Sequence, residues 1–177
     1  MLWFALHLPG LPFEAWRDTA AADDSSDVRP CCVVEARRVV RADVAAGALG
    51  VEVGMSAASA ASLAGSAASA ASLVSGEGGL QVFARSAARE AAQVQRLALA
   101  LARFTPSVVV QADGVLLEVA ASLRLFGGAR ALWRAVREAA RAGGVQSLRM
   151  AAALTATAAA VLARAEPASP ALRRLPI

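Results

Sequence analysis

Lysine, tyrosine and asparagine are absent from the 177 residues, histidine occurs once and cysteine twice. With one His and no Cys-x-x-Cys, a structural zinc site cannot be assembled from its usual ligands. Cys31 and Cys32 are adjacent, so on a strand their side chains point to opposite faces and cannot converge on one metal or easily bridge each other. They read as buried structural thiols. No Walker loop, no Gly-x-Ser-x-Gly and no Cys-His pair in register occurs, and the many serines sit in a low-complexity repeat rather than beside a base. No apolar stretch reaches the roughly 20 residues that a membrane helix needs. The longest Ala-rich run, Met150 to Ala163, carries two threonines. The N-terminus has no basic residue ahead of Leu2 to Leu8, and Pro9 and Pro12 cut that run short, so neither a spanning protein nor a secretory signal is expected. The expected location is cytoplasmic.

What is present is apolar and arginine-rich. Hydrophobic residues make up 57% of the chain and charged ones 18%, and mean hydropathy is +0.51. That is enough to bury a core as one domain or two small ones. All 18 basic residues are Arg, which with the abundance of Ala and Gly fits the codon usage of a GC-rich genome. The net charge of +4 and the pI near 10.8 are compatible with a polyanion partner held by phosphate neutralisation.

Along the chain, Leu2 to Leu8 reads as a buried strand ended by Pro-Gly, and Thr19 to Pro30 as an exposed connection. Cys31 to Glu35 and Arg38 to Ala42 form a small hairpin, after which Asp43 caps a short helix over Val44 to Leu49 that Gly50 stops. The run from Ser56 to Leu63 recurs from Ser66 to Leu73, a duplication that predicts lightly packed, mobile helix, and Gly76, Gly78 and Gly79 mark a linker. Ser86 to Arg103 is an amphipathic helix with Ala87, Val94, Leu97, Leu101 and Phe104 on its apolar stripe. A hairpin follows, Val108 to Val110 and Val115 to Val119, turning at Asp113-Gly114. Leu132 to Ala142 forms a helix with Leu132, Trp133, Val136 and Ala140 inward and Arg130, Arg134, Arg137 and Arg141 outward, closed by Gly143-Gly144. Gln146 to Leu154 reads as a strand and Thr155 to Ala165 as a last helix. Setting aside the insertion after the first strand leaves β-α-β-β-α-β, an α+β, ferredoxin-like order with both helices on one face of an antiparallel sheet.

Fold alone licenses no function. The opening run Leu2 to Pro12, the run Ala42 to Met55 with its Leu-Gly-Val-x-x-Gly-Met phrase, Leu101 to Val108, and Leu116 to Gly128 with Ser122-Leu-Arg-Leu-Phe-Gly-Gly128 together resemble the N-terminal half of Y-family translesion DNA polymerases. The resemblance is closest to their ImuB-like branch, which generally lacks a working polymerase site. It implies a palm with its first strand at 1–12, a fingers-like α/β insertion at 13–79, the rest of the palm at 80–166, and a tail at 167–177 where a thumb is missing.

In that family an Asp ends the first palm strand and an Asp-Glu pair occupies the central hairpin turn, so that two magnesium ions can activate the primer hydroxyl and clamp the triphosphate. The matching positions here are His7, Asp113 and Gly114, which leaves one of the three carboxylates. Magnesium prefers hard oxygen donors, so His7 is a poor replacement. Taken without the resemblance, Asp-Gly is a favoured hairpin turn and a lone His at a strand end is an ordinary partly satisfied side chain. Glu118 matches an acidic position that is not a metal ligand and reads as structural. The triphosphate positions, a Tyr, an Arg and a Lys in active members, fall on Val44, Gly47 and Ala158. None can neutralise the γ-phosphate as charge builds.

The resemblance therefore implies a pseudoenzyme, with no catalytic residues and no cofactor expected. It would act as an adaptor in DNA-damage-induced (SOS-type) mutagenesis and translesion synthesis. Its implied partners are an error-prone replicative-type DNA polymerase, a RecA-like accessory protein and the sliding clamp, with weak DNA contact and no membrane. Two other readings stand beside it. One is an active translesion polymerase with displaced ligands, which would need Mg2+; the other is a protein-binding module that uses the arginine face of Leu132 to Ala142 and has no DNA role.

Overall fold

The computed structural model describes residues 1–20, 30–63 and 79–165. The second copy of the Ser/Ala repeat, Gly76 and Gly78 of the linker, most of the Thr19 to Pro30 connection and the tail lie outside them. The chain divides into two units, one joining Met1–Glu14 to Ala88–Ile177, the other Ala15–Ala87.

The first unit is built on a four-stranded antiparallel sheet. Its strands are β1 (Trp3–His7), β5 (Val108–Gln111), β6 (Gly114–Glu118) and β7 (Arg149–Ala153), in the spatial order β5-β6-β1-β7. β1 lies in the middle, with Phe4 opposite Leu117 on one side and Ala152 on the other. Alternation then sorts the side chains by size. Phe4, Leu6, Leu8, Val115, Leu117 and Val119 bury against one face together with Val94, Leu97 and Leu101 of α4 (Ala87–Leu101) and Leu132, Val136 and Ala140 of α5 (Ala129–Ala142). Both helices thus cover the same face. Ala87 is exposed rather than on the stripe of α4, because burial begins one turn later at Glu90.

The other face carries mainly alanine, with Leu116 and Trp3 as its larger side chains. Ala5 and Leu116 pack against Ala159, Ala160 and Ala163 of α6 (Ala156–Arg164), with Ala151 and Ala153 alongside. Alanine is a poor strand former, yet β7 reads Arg-Met-Ala-Ala-Ala; α6 lies against Ala151 and Ala153 and leaves little room there for larger groups, while Met150 and Ala152 face the opposite core. The strand expected over Gln146 to Leu154 is accordingly confined to Arg149–Ala153. Thr155 starts α6 by accepting the Ala158 N–H at its hydroxyl, 3.2 Å away.

The second unit holds a three-stranded sheet, β3-β2-β4, from β2 (Cys31–Glu35), β3 (Arg38–Ala42) and β4 (Gln81–Ala84). α2 (Val44–Ala48) follows β3, and residues 57–63 are helical (α3). Asp43 ties α2 to β2: one carboxylate oxygen caps the Ala46 N–H at 2.6 Å, the other accepts from the Cys31 N–H and thiol at 3.2 and 3.1 Å. Cys32 is fully buried in the core with Val39, Ala46, Val51 and Ala60, and burial, aided by the Asp43 charge, pushes its thiol pKa up. Gly50 ends this helical stretch at φ +86°.

Three expectations change. Residues 11–20 form a helix, α1 (Leu11–Ala20), where the sequence pattern shows only a loop leading into an exposed connection. Pro12 sits in its first turn, where no N–H is needed and φ is already suitable, so it does not break the helix. β4 adds a strand that the sequence pattern does not predict. It is mostly exposed and has no two-residue alternation, and its existence depends on parallel pairing with β2. The β5–β6 turn is Ala112–Asp113, because Gly114 already pairs with Gln111 across the hairpin.

The β2–β3 turn also departs from the usual chemistry. Ala36 and Arg37 connect the paired Glu35 and Arg38 with φ of +47° and +65°, a left-handed conformation that Asn-Gly adopts at lower cost. The turn keeps this shape because β2 and β3 are fixed by their partners. Replacing Ala36-Arg37 with Asn-Gly should therefore raise stability by about 1–2 kcal/mol, measured as a higher urea midpoint with unchanged slope.

Candidate functional site

The site lies where β1, β6 and β7 end together on the α6 face. His7 is in register with Gly114 on one side and Arg149 on the other, and the Leu8 N–H donates to the Asp113 carbonyl at 2.9 Å. This pins the β5–β6 turn beside the end of β1, so His7, Asp113 and Gly114 stand next to one another. By alternation His7 shares its face with Ala5, and so with α6.

α6 supplies the fourth member. Arg164, in the last turn of the helix, donates from Nε to Asp113 Oδ2 at 2.8 Å and from one terminal nitrogen to Asp113 Oδ1 at 2.5 Å. The same nitrogen donates to Gln111 Oε1 at 2.8 Å, and the other terminal nitrogen to the Ala160 carbonyl at 3.2 Å. The guanidinium thus holds the carboxylate as a two-pronged fork. Nothing in the local sequence points to this pairing, since 51 residues separate the partners. The one available signal was that Arg164 is the sole charged residue of an otherwise apolar and alanine-rich helix.

His7 Nδ1 approaches Asp113 Oδ2 to 3.2 Å but lacks the alignment of a hydrogen bond. Burial lowers the imidazole pKa below 6.5; the Asp113 carboxylate opposes this, while Arg164 and Arg149 reinforce it. Asp113 is held below 3.8, chiefly by the hydrogen bond from Arg164 and further by its charge and that of His7. Arg164 is shifted upward by the same bond. At neutral pH the site therefore holds a neutral imidazole and a carboxylate already neutralised by a cation of the chain itself.

Gly114 has a separate constraint. A Cβ built on it would lie 2.0 Å from the Leu6 carbonyl oxygen and 3.2 Å from His7 Cα. β1 runs so close to this position that no side chain fits without a backbone shift, a carboxylate included.

A pair of divalent cations would need several hard oxygen donors converging within a few ångströms. The donors present are one carboxylate with both oxygens engaged by Arg164, one imidazole and a residue without a side chain. They do not fit such a pair, and among the described residues no group of three or more His, Cys, Asp or Glu is placed to hold a metal ion. The remaining positions are not brought into this cluster by contacts within the first unit. Ala158 is exposed in the first turn of α6, at the opposite end from Arg164, and Val44 and Gly47 are exposed positions of α2 in the second unit. Glu118 sits at the far end of β6, where its carboxylate accepts the Leu2 and Ala120 N–H groups at 3.4 and 3.2 Å.

No family model matches the chain, and no curated protein sequence matches it. Solved structures do match in fold. A ternary complex of Dbh superimposes with a TM-score of 0.65 at 15% identity, over 92% of this chain and 44% of that one. DinB from Sulfolobus solfataricus gives 0.61 at 16% identity, over 92% and 45%. A DinB family error-prone DNA polymerase from the same organism gives 0.63 at 16%, over 96% and 45%. The chain has a mixed α+β fold like that of Y-family DNA polymerases and spans somewhat under half the length of these structures. Among the described residues, no helix is long and apolar enough to cross a membrane.

Three variants check the site. Both folded-state shifts are downward, so His7 contributes stability that is present above 6.5 and is lost as pH falls below it, and Asp113 contributes stability lost below 3.8. His7→Gln should flatten the first decline in the urea midpoint and leave the second. Arg164→Ala should cost about 1 kcal/mol, because both partners are more than a third exposed, and should move the Asp113 carboxyl up towards 3.8 in an NMR titration. Gly114→Ala should cost about 3 kcal/mol through the clash with the Leu6 carbonyl.

Proposed function

We propose that this chain is the palm and fingers-like part of a Y-family polymerase homologue that does not add nucleotides and serves as an adaptor in DNA-damage-induced mutagenesis and translesion synthesis. In this reading the unit with the β5-β6-β1-β7 sheet is a ferredoxin-like palm and Ala15–Ala87 is the fingers-like insertion. The observation that carries the reading is the Arg164 fork on Asp113. It occupies the single carboxylate that the Y-family resemblance places at the catalytic hairpin. The closed space over Gly114 supports the same reading, because it bars the second carboxylate of that hairpin from this backbone.

The ImuB-like resemblance adds the partners: an error-prone replicative-type polymerase, a RecA-like protein and the sliding clamp. These are assigned to the full-length protein, in the cytoplasm, with a weak DNA grip from this part. No cofactor is required for that role.

Primer extension with the full chain tests it. No incorporation on a primed template is expected with saturating nucleotide and either Mg2+ or Mn2+. Metal-dependent extension would overturn the reading in favour of an active polymerase with displaced ligands. A companion salt titration of binding to primed DNA should give a log-log slope of about −2 to −4, that of a few phosphate contacts, whereas a flat response would remove the DNA role.

A further inference from the structure

The two edges of the four-stranded sheet are unlike. β7 carries the charged Arg149 within the strand, and charge on an outer strand is one of the devices that keep it from pairing with another chain. β5, at the other edge, reads Val108-Val109-Val110-Gln111 and keeps its register with β6 without a bulge. No charged residue occurs from Phe104 to Ala112. Val109 and Val110 are 45% and 46% exposed.

Hydrogen bonding fixes which backbone groups of β5 point outward. The Glu118 N–H donates to the Ser107 carbonyl at 3.0 Å, so Ser107, Val109 and Gln111 turn their backbone groups towards β6, and Val108 and Val110 turn theirs away. β6 has the matching phase, since the Val119 N–H donates to the Leu2 carbonyl at 2.8 Å and the Asp113 carbonyl accepts from Leu8 on the β1 side. Among the described residues nothing pairs with the outward N–H and C=O groups of Val108 and Val110.

A second copy of the chain satisfies all of them. With the strands antiparallel and Val109 facing Val109, each Val108 lies opposite Val110 of the other copy and exchanges both hydrogen bonds with it. The side chains match in the same register. The two Val109 groups meet at the closer, non-hydrogen-bonded spacing, Val108 meets Val110 on the opposite face, and Ser107 meets Gln111. Sliding the strands so that Val110 faces Pro106 loses an N–H donor, and sliding them the other way sets Val108 against Ala112, which belongs to the β5–β6 turn. A foreign strand would have to be selected by its side chains, and β5 offers no charge by which to select one. We propose that β5 pairs with β5 of a second copy of this chain, antiparallel about Val109, so that the two four-stranded sheets become one. β5 supplies four residues where a standard interface has about 20–30 a side, so the dimer is weak and forms as concentration rises. This goes beyond the adaptor reading and does not rest on it.

Sedimentation velocity of the full chain over a concentration series should show a monomer–dimer equilibrium. Val109→Lys and Val109→Glu each set like charges face to face across the two-fold axis and should weaken the dimer at least about tenfold, whereas mixing the two variants should restore it as a mixed dimer. Cross-linking reads the register independently. Val109→Cys should form an intermolecular disulfide on mild oxidation, and Val110→Cys, of matching exposure but not opposite itself, should form far less. Cys31 and Cys32 are common to both variants, and circular dichroism checks that each is folded. The proposal fails if the chain stays monomeric at the highest concentration reached, which would leave the edge to a foreign strand. It fails equally if Val109→Lys associates as strongly as the parent, if the Lys and Glu variants do not combine, or if the two cysteine variants cross-link alike.

Discussion

A single charge pair organises one end of the four-stranded sheet. The Asp113 carboxylate stands at a turn where three strands end, with the His7 imidazole 3.2 Å away, and it is neutralised by Arg164 reaching across from the last turn of α6. That reach depends on everything beneath the helix. Thr155 sets where α6 begins, and the alanines of β7 and α6 allow the helix to lie against the sheet. A larger residue at Ala159 or Ala163 would lift the helix and draw the guanidinium away, so the electrostatics of the site follow from the packing of the smallest side chains in the unit.

The sheet separates two kinds of work by side-chain size. Its large side chains meet α4 and α5 in a dense apolar core. Its alanines, with Leu116 and Trp3, meet α6, and polar groups stand at the strand ends. His7 and Asp113 stand on the α6 side, at the ends of the sheet's strands. Here that side offers a carboxylate already bound by a cation of the same chain and a position too crowded for a second one. The outward arginines of α5 lie on the opposite side, across the core.

Much of the architecture was legible because it is local. The β2–β3 hairpin, the Asp43 cap, the amphipathic stripe of α5 and the Thr155 start of α6 each depend on residues within a few positions of one another. The elements that escaped have no such local signature. α1 was hidden by Pro12, a residue that breaks helix interiors and is tolerated in first turns. β4 has no alternation to detect, because its exposed strand is held mainly through backbone pairing with β2. At the candidate site, His7, Asp113 and Gly114 could be picked out through the family resemblance. Arg164 could not, because a guanidinium at the end of an alanine-rich helix looks like any solvated charge.

From residue order alone come the α+β class and the β-α-β-β-α-β succession, since periodicity and capping are properties of neighbours in the chain, whereas the interest of His7, Asp113 and Gly114 came through the family resemblance. Tertiary structure alone decided that the Asp113 carboxylate is bound by Arg164 and that Gly114 has no space for a side chain. Both facts concern groups distant in the chain that meet only when the strands pair and the helix lies across them. No pattern in the intervening residues encodes those distances.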